Sequence, residues 1–512
     1  MNNPPIVRFS PSPTGSLHVG GVRTALFNYL FAKHNGGKIL LRSEDTDRER
    51  FVEGAEQYIV DSLKWCGITF DDGVDPADPN SLFRQSVRKE HGIYLDHIAK
   101  LLHEGKAYYA FDTPEELAAL RAQAKGNEVL SYNHVTRKRM NNSLGMDAAT
   151  LTDRKKDTPY VIRLKVEPGE TITFSDLVRG TVTFKTDTLD DKVLMKSDGM
   201  PTYHFANVVD DHDMGITHVI RGEEWLPSTP THVLLYRAFG WDAPTFAHLP
   251  LLLKPEGKGK LSKRDGAIFG FPVVPTDWNA GEYPGFKEAG YLPEVLMNFL
   301  AILSWSPGNN EEIMSLARMV EVFDLTKVSK AGARFVIDKL NHFNKLALSA
   351  MPDEQVLDLL RPFMAGYGVD DAYLRRVIAV YKTRVTTLAD FTKKAPYLFT
   401  NDFPVDPVML AKWNDEAVKY IPLLTMRYYT IPESEWTEEV LHRVAEELVA
   451  LPLHEGNGIK IGKILPALRL ALGGSTFGPG VFTIAELIGR EDTLLRLTRA
   501  VETHTTGYAP VA

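Results

Sequence analysis

The sequence predicts an α/β protein: a parallel-sheet domain carrying an α+β insertion, followed by an all-α C-terminal region. Three observations carry this expectation. Short apolar runs alternate with amphipathic runs through the first third of the chain, period-two stretches appear at 171–174 and 181–184, and beyond about residue 341 every apolar pattern has three-and-four spacing. Strand–helix–strand–helix spacing of the first kind implies parallel pairing with right-handed crossovers.

In chain order, IVRF (6–9) reads as a buried strand. Residues 22–34 read as a helix with Val22, Leu26, Tyr29 and Leu30 on one stripe. KILLRS (38–43) is a second strand after the Asn-Gly-Gly turn at 35–37. EGAEQYIVDSLKWCG comes after it as a helix with Ala55, Ile59 and Leu63 at spacing four. TPEELAALRAQAKG (113–126) is a helix opened by a Thr113–Glu116 capping pair. A basic knot, Arg137-Lys138-Arg139, comes next, and TITF and TVTF then suggest a small sheet. Strand–helix alternation returns over 193–240. EQVLDLLRPFMAG, DAYLRRVIAVYKTRVTTLADFTKKA, PVMLAKWNDEAVKYIPLL, TEEVLHRVAEELVA and KIGKILPALRLALG make the last region helical. The expected division is 1–110 with 196–255 for the parallel-sheet domain, 111–195 for the insertion, 256–340 for a basic loop and the segment after it, and 341–512 for the helical region, in two subdomains.

Composition narrows the function. The chain has 512 residues, 44% hydrophobic and 24% charged, which is ordinary globular material. At about 100–200 residues per domain it holds three or four domains. The single cysteine, Cys66, excludes an internal disulfide framework and a cysteine-based zinc site, and fits a reducing compartment. No basic stretch followed by an apolar core opens the chain, and no apolar run is long enough to span a bilayer, so no membrane partner is expected. The net charge of −8 means that a nucleic acid must meet local basic patches.

PSPTGSLHVGG (11–21) joins the first strand to the first helix. Free N–H groups and the positive end of the helix dipole favour phosphate there. Gly15, Gly20 and Gly21 admit a close ligand, and His18 can donate a hydrogen bond to developing phosphate charge. Taken alone, such a loop serves equally as a tight turn with a capping histidine. Neither common nucleotide fingerprint, G-x-G-x-x-G or G-x-x-x-x-G-K-[ST], is present. Downstream, GKGKLSKRDG (257–266) places Lys258, Lys260, Lys263 and Arg264 in a glycine-flanked loop, which alone reads as a solvated basic turn.

Together, P-x-P-T-G-x-x-H-V-G-G and K-L-S-K-R resemble the paired HIGH and KMSKS signatures of class I aminoacyl-tRNA synthetases. RFSPSPTGSLHVGGVRTALFNYLFAKHNGGKILLRSEDTDRER, LMKSDGMPTYHFANVVDDHDMGITHVIRGEEWLPSTP and HVLLYRAFGW look like the catalytic domain of the bacterial glutamyl-tRNA synthetase family, and KIGKILPALRLALGG like its C-terminal module. The resemblance implies a Rossmann-type catalytic domain, an acceptor-binding insertion, a stem-contact region after the basic loop and an anticodon-binding helical region. It implies activation of L-glutamate by ATP, with Mg²⁺, to glutamyl-adenylate, then transfer to the 3′-terminal adenosine of tRNA(Glu), by a cytoplasmic monomer. Gly21 stands where the HIGH motif has its second histidine, as is common in the glutamyl branch.

By the same resemblance, Ser12, Thr14, Gly15, His18, Gly20 and Gly21 hold ATP. Lys260 and Lys263 stabilise the pyrophosphate side, with Lys263 the more direct contact. Arg8, Ser10, Glu44, Tyr203, Asn207 and Arg221 line the glutamate pocket. Arg8 and Arg221 fall at strand ends and suit forked bonds to carboxylates. Tyr203 and Asn207 share a helix face at spacing four. Asp45 and Asp47 stay undecided between a role in the site and an acidic helix start. His204, Asp211, His212 and Asp213 fit no metal-ligand spacing, and the histidines are expected to hydrogen-bond locally. Some family members bind zinc near the positions of YYAFD (108–112), but Ala110 and Asp112 supply no thiolate, so no zinc is expected. RNA-facing candidates are Arg137–Arg139, Lys155–Lys156, Lys258–Arg264, Arg375–Arg384 and Lys460–Lys463. Arg384 matches a family position that reads the last anticodon base, which implies discrimination against tRNA(Gln).

Two rivals remain at this point. A catalytically silent RNA-binding protein would have lost part of the set His18, Lys260, Lys263, Arg8 and Arg221. An adenylating enzyme that never meets RNA would not need the helical third.

Overall fold

The computed structural model describes residues 4–123, 131–279, 281–451 and 458–505. The chain divides into two compact units: Met1–Lys287 with Pro293–Ile337, and Asp338–Ala512 with Glu288–Leu292.

In the first unit, β1 (Ile6–Phe9) and β2 (Lys38–Leu41) pair in parallel, with helix α1 (Val19–His34) as the crossover. Helix α2 (Ala55–Trp65) leads on to β3 (Asp72–Gly73), which joins β2 in parallel. Val7, Ile39, Leu41, Ile59 and Leu63 are buried between these layers, so apolar burial drives this half of the sheet. The face of α1 is wider than the predicted stripe: Val22, Ala25, Leu26, Phe27 and Leu30 are all fully buried, while Tyr29 is half-buried. The cause is a second cover. The helices Pro293–Ile302 and Leu316–Val322 pack on α1, and Phe27 meets Phe323 edge-on at 5.6 Å.

The inserted segment carries β4 (Ala107–Ala110), β5 (Val161–Leu164), β6 (Thr171–Asp176), β7 (Gly180–Lys185) and β8 (Val193–Met195). β4, β5 and β8 form an antiparallel sheet. The Thr113 capping box is present on the helix Pro114–Ala122. The tail of that predicted helix, 124–126, lies outside the described residues. The β6–β7 hairpin departs from expectation. It makes no small sheet of its own. β6 pairs with a later strand of the parallel sheet, Asp176 opposite Phe246, and buries Ile172.

Helix α3 (Tyr203–Asp213), strand β9 (His218–Gly222), helix α4 (Thr229–Phe239) and strand β10 (Thr245–Leu249) follow, and the two strands join the hairpin in a four-stranded ladder ordered β7-β6-β10-β9. β10 lies between β6 and β9 and is parallel to both. Beside β1, Thr217 N–H donates to the Ile6 carbonyl at 2.9 Å, which sets the β9 side of the sheet next to β1. The carboxyl ends of β1 and β9 therefore open side by side, the usual place for a ligand crevice in open α/β sheets.

The second unit is helical, as the spacing predicts: Ile337–Ala350, Asp353–Leu360, Asp371–Tyr381, Asp415–Tyr429, Glu438–Ala450, Leu465–Gly473 and Val481–Thr505, the last broken at Gly489. The run 371–395 is not one helix. It stops at Tyr381, and the Asp390 carboxylate takes the N–H groups of Thr386 and Thr387, which fixes the loop ahead of a short second helix, Asp390–Lys393. Among the described residues no helix is long and apolar enough to cross a membrane.

Candidate active site

A cleft of about 1280 Å³ in the first unit gathers the residues singled out in its sequence. Arg8, Ser10, Ser12, Thr14, Gly15, His18, Gly20, Gly21, Glu44, Tyr203, Asn207, Arg221, Lys260 and Lys263 all line it. Three elements supply most of them: the turn from β1 into α1, the start of α3 with the end of β9, and the basic loop.

The two distant glycine-rich segments meet. A Cβ placed on Gly15, whose φ of +125° favours glycine, would stand 3.9 Å from Lys263 Nζ. Lys263 opens helix α5 (Lys263–Phe269), capped by the Ser262–Asp265 box. The loop itself is pinned: Leu261 N–H donates to the Leu252 carbonyl at 2.8 Å, and Lys254 pairs with Asp265 at 2.8 Å. Burial lowers the Lys263 ammonium from its ordinary value, against the pull of Glu282. Lys260 is more exposed and sits 2.5 Å from Glu224.

His18 caps α1. Its Nδ1 accepts the Gly20 N–H at 3.0 Å, so the ring proton sits on Nε2. Nε2 is buried and has no hydrogen-bond partner among the described residues, as is also true of Ser10 Oγ. Burial first, then the Lys260 and Lys263 ammoniums, push this imidazole down from 6.5 to about 4, Asp265 opposing. At neutral pH it is an uncharged donor. A Cβ on Gly21 would come within 2.8 Å of Leu17 Cδ1, so a side chain where the HIGH motif has its second histidine would require the tip of Leu17 to shift. The unfolded chain protonates His18 near 6.5 and the folded one only near 4, so its contribution to stability is complete above 6.5 and is lost as pH falls toward 4. His18→Gln flattens the fall of the thermal unfolding midpoint across that window; an unchanged slope contradicts the assignment.

At the wall of the cleft formed by Arg8 and Glu44 lies a network the sequence reading missed. Arg42, wholly buried, donates to Asp211 at 2.7 Å and to Glu44 at 2.9 Å. Arg8 donates to both oxygens of Asp211, at 2.9 and 3.3 Å. Burial pushes the Asp211 carboxyl up, but Arg8 and Arg42 outweigh it and hold it below the usual carboxylate range. Asn207 Nδ2 donates to Glu44 at 3.2 Å. Glu44 is thus oriented from two sides at the cleft wall.

Arg221 is different. It is 5% exposed, yet no carboxylate of the described residues lies within ion-pair distance of it. Its acceptors are all neutral: Tyr203 Oη and Thr229 Oγ1 at 2.9 Å, His248 Nε2 at 3.1 Å, and at longer range His232 Nδ1 (3.4 Å) and the Trp225 carbonyl (3.5 Å). Burial, then Arg221 itself, drives His232 well below its ordinary value, which keeps it uncharged.

The remaining candidates resolve individually. Residues 44–53 hold no helix, so the acidic helix start is corrected. Asp45 instead accepts from Ser86 N–H at 2.8 Å and pairs with Arg48, and Asp47 pairs with Arg50 at the cleft edge. Arg137 is also corrected as an RNA contact: it is buried against Asp191 at 3.1 Å because Asp191 must be neutralised there. Asp112 accepts from Tyr132 Oη and Asn141 N–H. His204 meets His232 at 3.2 Å, and His212 stacks on Trp241 at 3.6 Å. Among the described residues no group of three side chains could hold a metal ion. In the second unit, Arg384 is exposed and donates from Nη1 to the Val380 carbonyl at 2.7 Å.

Comparison with known proteins bears on the whole chain. Residues 6–342 match the catalytic domain of class I tRNA synthetases (E and Q), and residues 355–501 match an anticodon binding domain. The parallel sheet with its two converging loops and the helical region after it are those of a class I aminoacyl-tRNA synthetase. Glutamate–tRNA ligases of Cytophaga hutchinsonii and Porphyromonas gingivalis are each 46% identical to the chain, over 97% of it and 97–98% of their own length. The crystal structure of a glutamate tRNA ligase from Elizabethkingia meningosepticum in complex with its amino acid is 45% identical, with a TM-score of 0.84 over 98% of this chain and 100% of that one. The chain belongs to the glutamate–tRNA ligase family.

Proposed function

We propose that this glutamate–tRNA ligase holds glutamate and MgATP together in the cleft of its first unit and discriminates against tRNA(Gln). In the first step a carboxylate oxygen of glutamate attacks the α-phosphorus of ATP, the bond to the β-phosphate bridge breaks, and pyrophosphate leaves. In the second, the hydroxyl of the terminal adenosine of tRNA(Glu) takes the acyl group and AMP departs.

Each side chain has a task set by its chemistry. The turn of Ser12–Gly21 lets phosphate lie against backbone, and the Nε2–H of His18 donates to it. Lys263, and Lys260 once released from Glu224, meet the charge that grows on pyrophosphate. Arg221 takes a carboxylate of glutamate, while Glu44 accepts from the α-ammonium and Arg8, Ser10, Tyr203 and Asn207 shape the pocket. Magnesium arrives with ATP. The enzyme works in the cytoplasm as a monomer. The observation that supports this reading most directly is the approach of Lys263 to Gly15, which brings segments some 240 residues apart in sequence to one phosphate-sized space.

Discrimination rests on Arg384, whose remaining guanidinium edge suits a base. Guanidinium contacts to base edges give about 1–3 kcal/mol, so Arg384→Gln narrows the preference for tRNA(Glu) over tRNA(Gln) by roughly 10–100-fold. Charging kinetics with both purified tRNAs test this. Equal charging of the two by the unaltered enzyme overturns it.

A further inference from the structure

Arg221 is braced from behind. It stands directly opposite His248 in the β9–β10 ladder, and Arg221 Nε–H donates to His248 Nε2 at 3.1 Å. The other ring nitrogen, His248 Nδ1, lies 2.6 Å from Asp176 Oδ2 on the strand at the far side of β10. His248 is fully buried and Asp176 is 2% exposed. Asp176 is itself fixed by the N–H groups of Val178 and Arg179, at 2.9 and 2.8 Å. Three neighbouring strands thus line up a carboxylate, an imidazole and a guanidinium.

Hydrogen-bond direction settles the protonation. A guanidinium only donates, so His248 Nε2 must accept, and the ring proton must be on Nδ1, donated to Asp176. The charged or titratable groups facing this ring are Asp176, Arg221 and Arg179, whose Nε donates to the His248 carbonyl, and His232 borders Arg221. The arrangement does what a direct ion pair would not. A carboxylate on Arg221 would orient it but neutralise it. A neutral imidazole orients it and keeps the negative charge one residue away.

We propose that Asp176 and His248 are positioning residues for amino-acid capture: Asp176 fixes the tautomer of His248, and His248 aims the Arg221 guanidinium into the cleft with its charge unspent. This rests on the reading that Arg221 receives a glutamate carboxylate. It gives the β6–β7 hairpin a task in the reaction, although no residue of that hairpin lines the cleft.

The test uses the full-length enzyme and steady-state charging of tRNA(Glu). Asp176→Asn keeps the shape but can present an amide N–H₂ to Nδ1, which drives the ring proton toward Arg221. The KM for glutamate then rises about 10–100-fold, the cost of one hydrogen bond to a charged group, while the KM for ATP and kcat stay within about twofold. His248→Leu does the same, and His248→Gln, whose carbonyl oxygen can accept from Arg221, restores most of the affinity. A merely structural role would lower the unfolding midpoint of all three without that split. Should His248→Leu fail to fold, the isosteric Asp176→Asn decides. Folded Asp176→Asn with an unchanged KM for glutamate overturns the inference. Arg221→Ala separates the premise: if that variant also leaves the KM for glutamate unchanged, the carboxylate reading itself fails. If it raises the KM and Asp176→Asn then adds nothing in its background, the relay stands.

Discussion

Replacing Lys263 by alanine slows glutamyl-adenylate formation by about 10²–10³-fold, the loss seen when one preorganised donor to a developing charge is removed. The structure says why this lysine, more than its neighbours, should carry such a loss. Lys263 sits in the first turn of α5, where the helix dipole disfavours a cation, and burial makes its charged form costlier still. Among the described residues no carboxylate lies within ion-pair distance of it, whereas Lys260 has Glu224 at 2.5 Å and Lys254 has Asp265 at 2.8 Å. A cation held where it is unfavourable, against the Gly15 backbone and with only the distant pull of Glu282, gains most when an anion arrives. The alanine variant should therefore unfold at the same temperature as the parent or slightly higher, while ATP–pyrophosphate exchange, measured with tRNA and glutamate present, collapses. Exchange at the parental rate in a folded variant removes Lys263 from the reaction. Lys260→Ala is the milder control, since half of that side chain is in water and its pair with Glu224 must already be broken for it to reach phosphate.

The architecture is legible where it is written locally. The turn 11–21 is a contiguous run whose glycines and histidine have meaning at fixed offsets, and the C-terminal helices carry their period in their own residues. Contacts across long separations are not legible. Arg42 and Asp211 are 169 residues apart, and Asp176 and His248 are 72 apart; nothing local says that they meet. A signal does exist. A charge inside an apolar strand, as in KILLRS, or two acids on the inner face of a helix, as in VVDDH, must be paired if buried. That rule marks Arg42, Asp210 and Asp211 as a network without naming the pairs. The β6–β7 hairpin is hidden for a related reason: period-two alternation shows that a strand has two faces, but not which sheet it joins. The break after Tyr381 is masked because Tyr381, Val385 and Leu388 keep a helical spacing of apolar residues across it.

Arg221→Ala raises the KM for glutamate by about 10²–10³-fold, as expected for losing two charge-assisted bonds to one carboxylate. The argument is one of compensation. Arg8 already has Asp211, and Arg42 has Asp211 and Glu44, so neither offers a whole positive charge to a newcomer. Arg221 is as buried as they are and has only neutral acceptors, two of them at the limit of hydrogen-bond length. A buried charge in that condition gains most from a ligand that brings the missing counter-charge. Two consequences distinguish this from general damage to the pocket. Glutamine has the shape of glutamate without the side-chain charge, so if Arg221 holds that carboxylate its loss weakens glutamate far more than glutamine, and the ratio of their inhibition or activation constants falls toward one. Stability changes far less than activity, because deleting an uncompensated charge offsets part of what is lost when Tyr203, Thr229 and His248 forfeit their donor. A variant that melts close to the parent, binds ATP as the parent does and has lost its preference for glutamate is the expected result. Unaltered affinity for glutamate in Arg221→Ala would mean that the carboxylate sits elsewhere in the cleft.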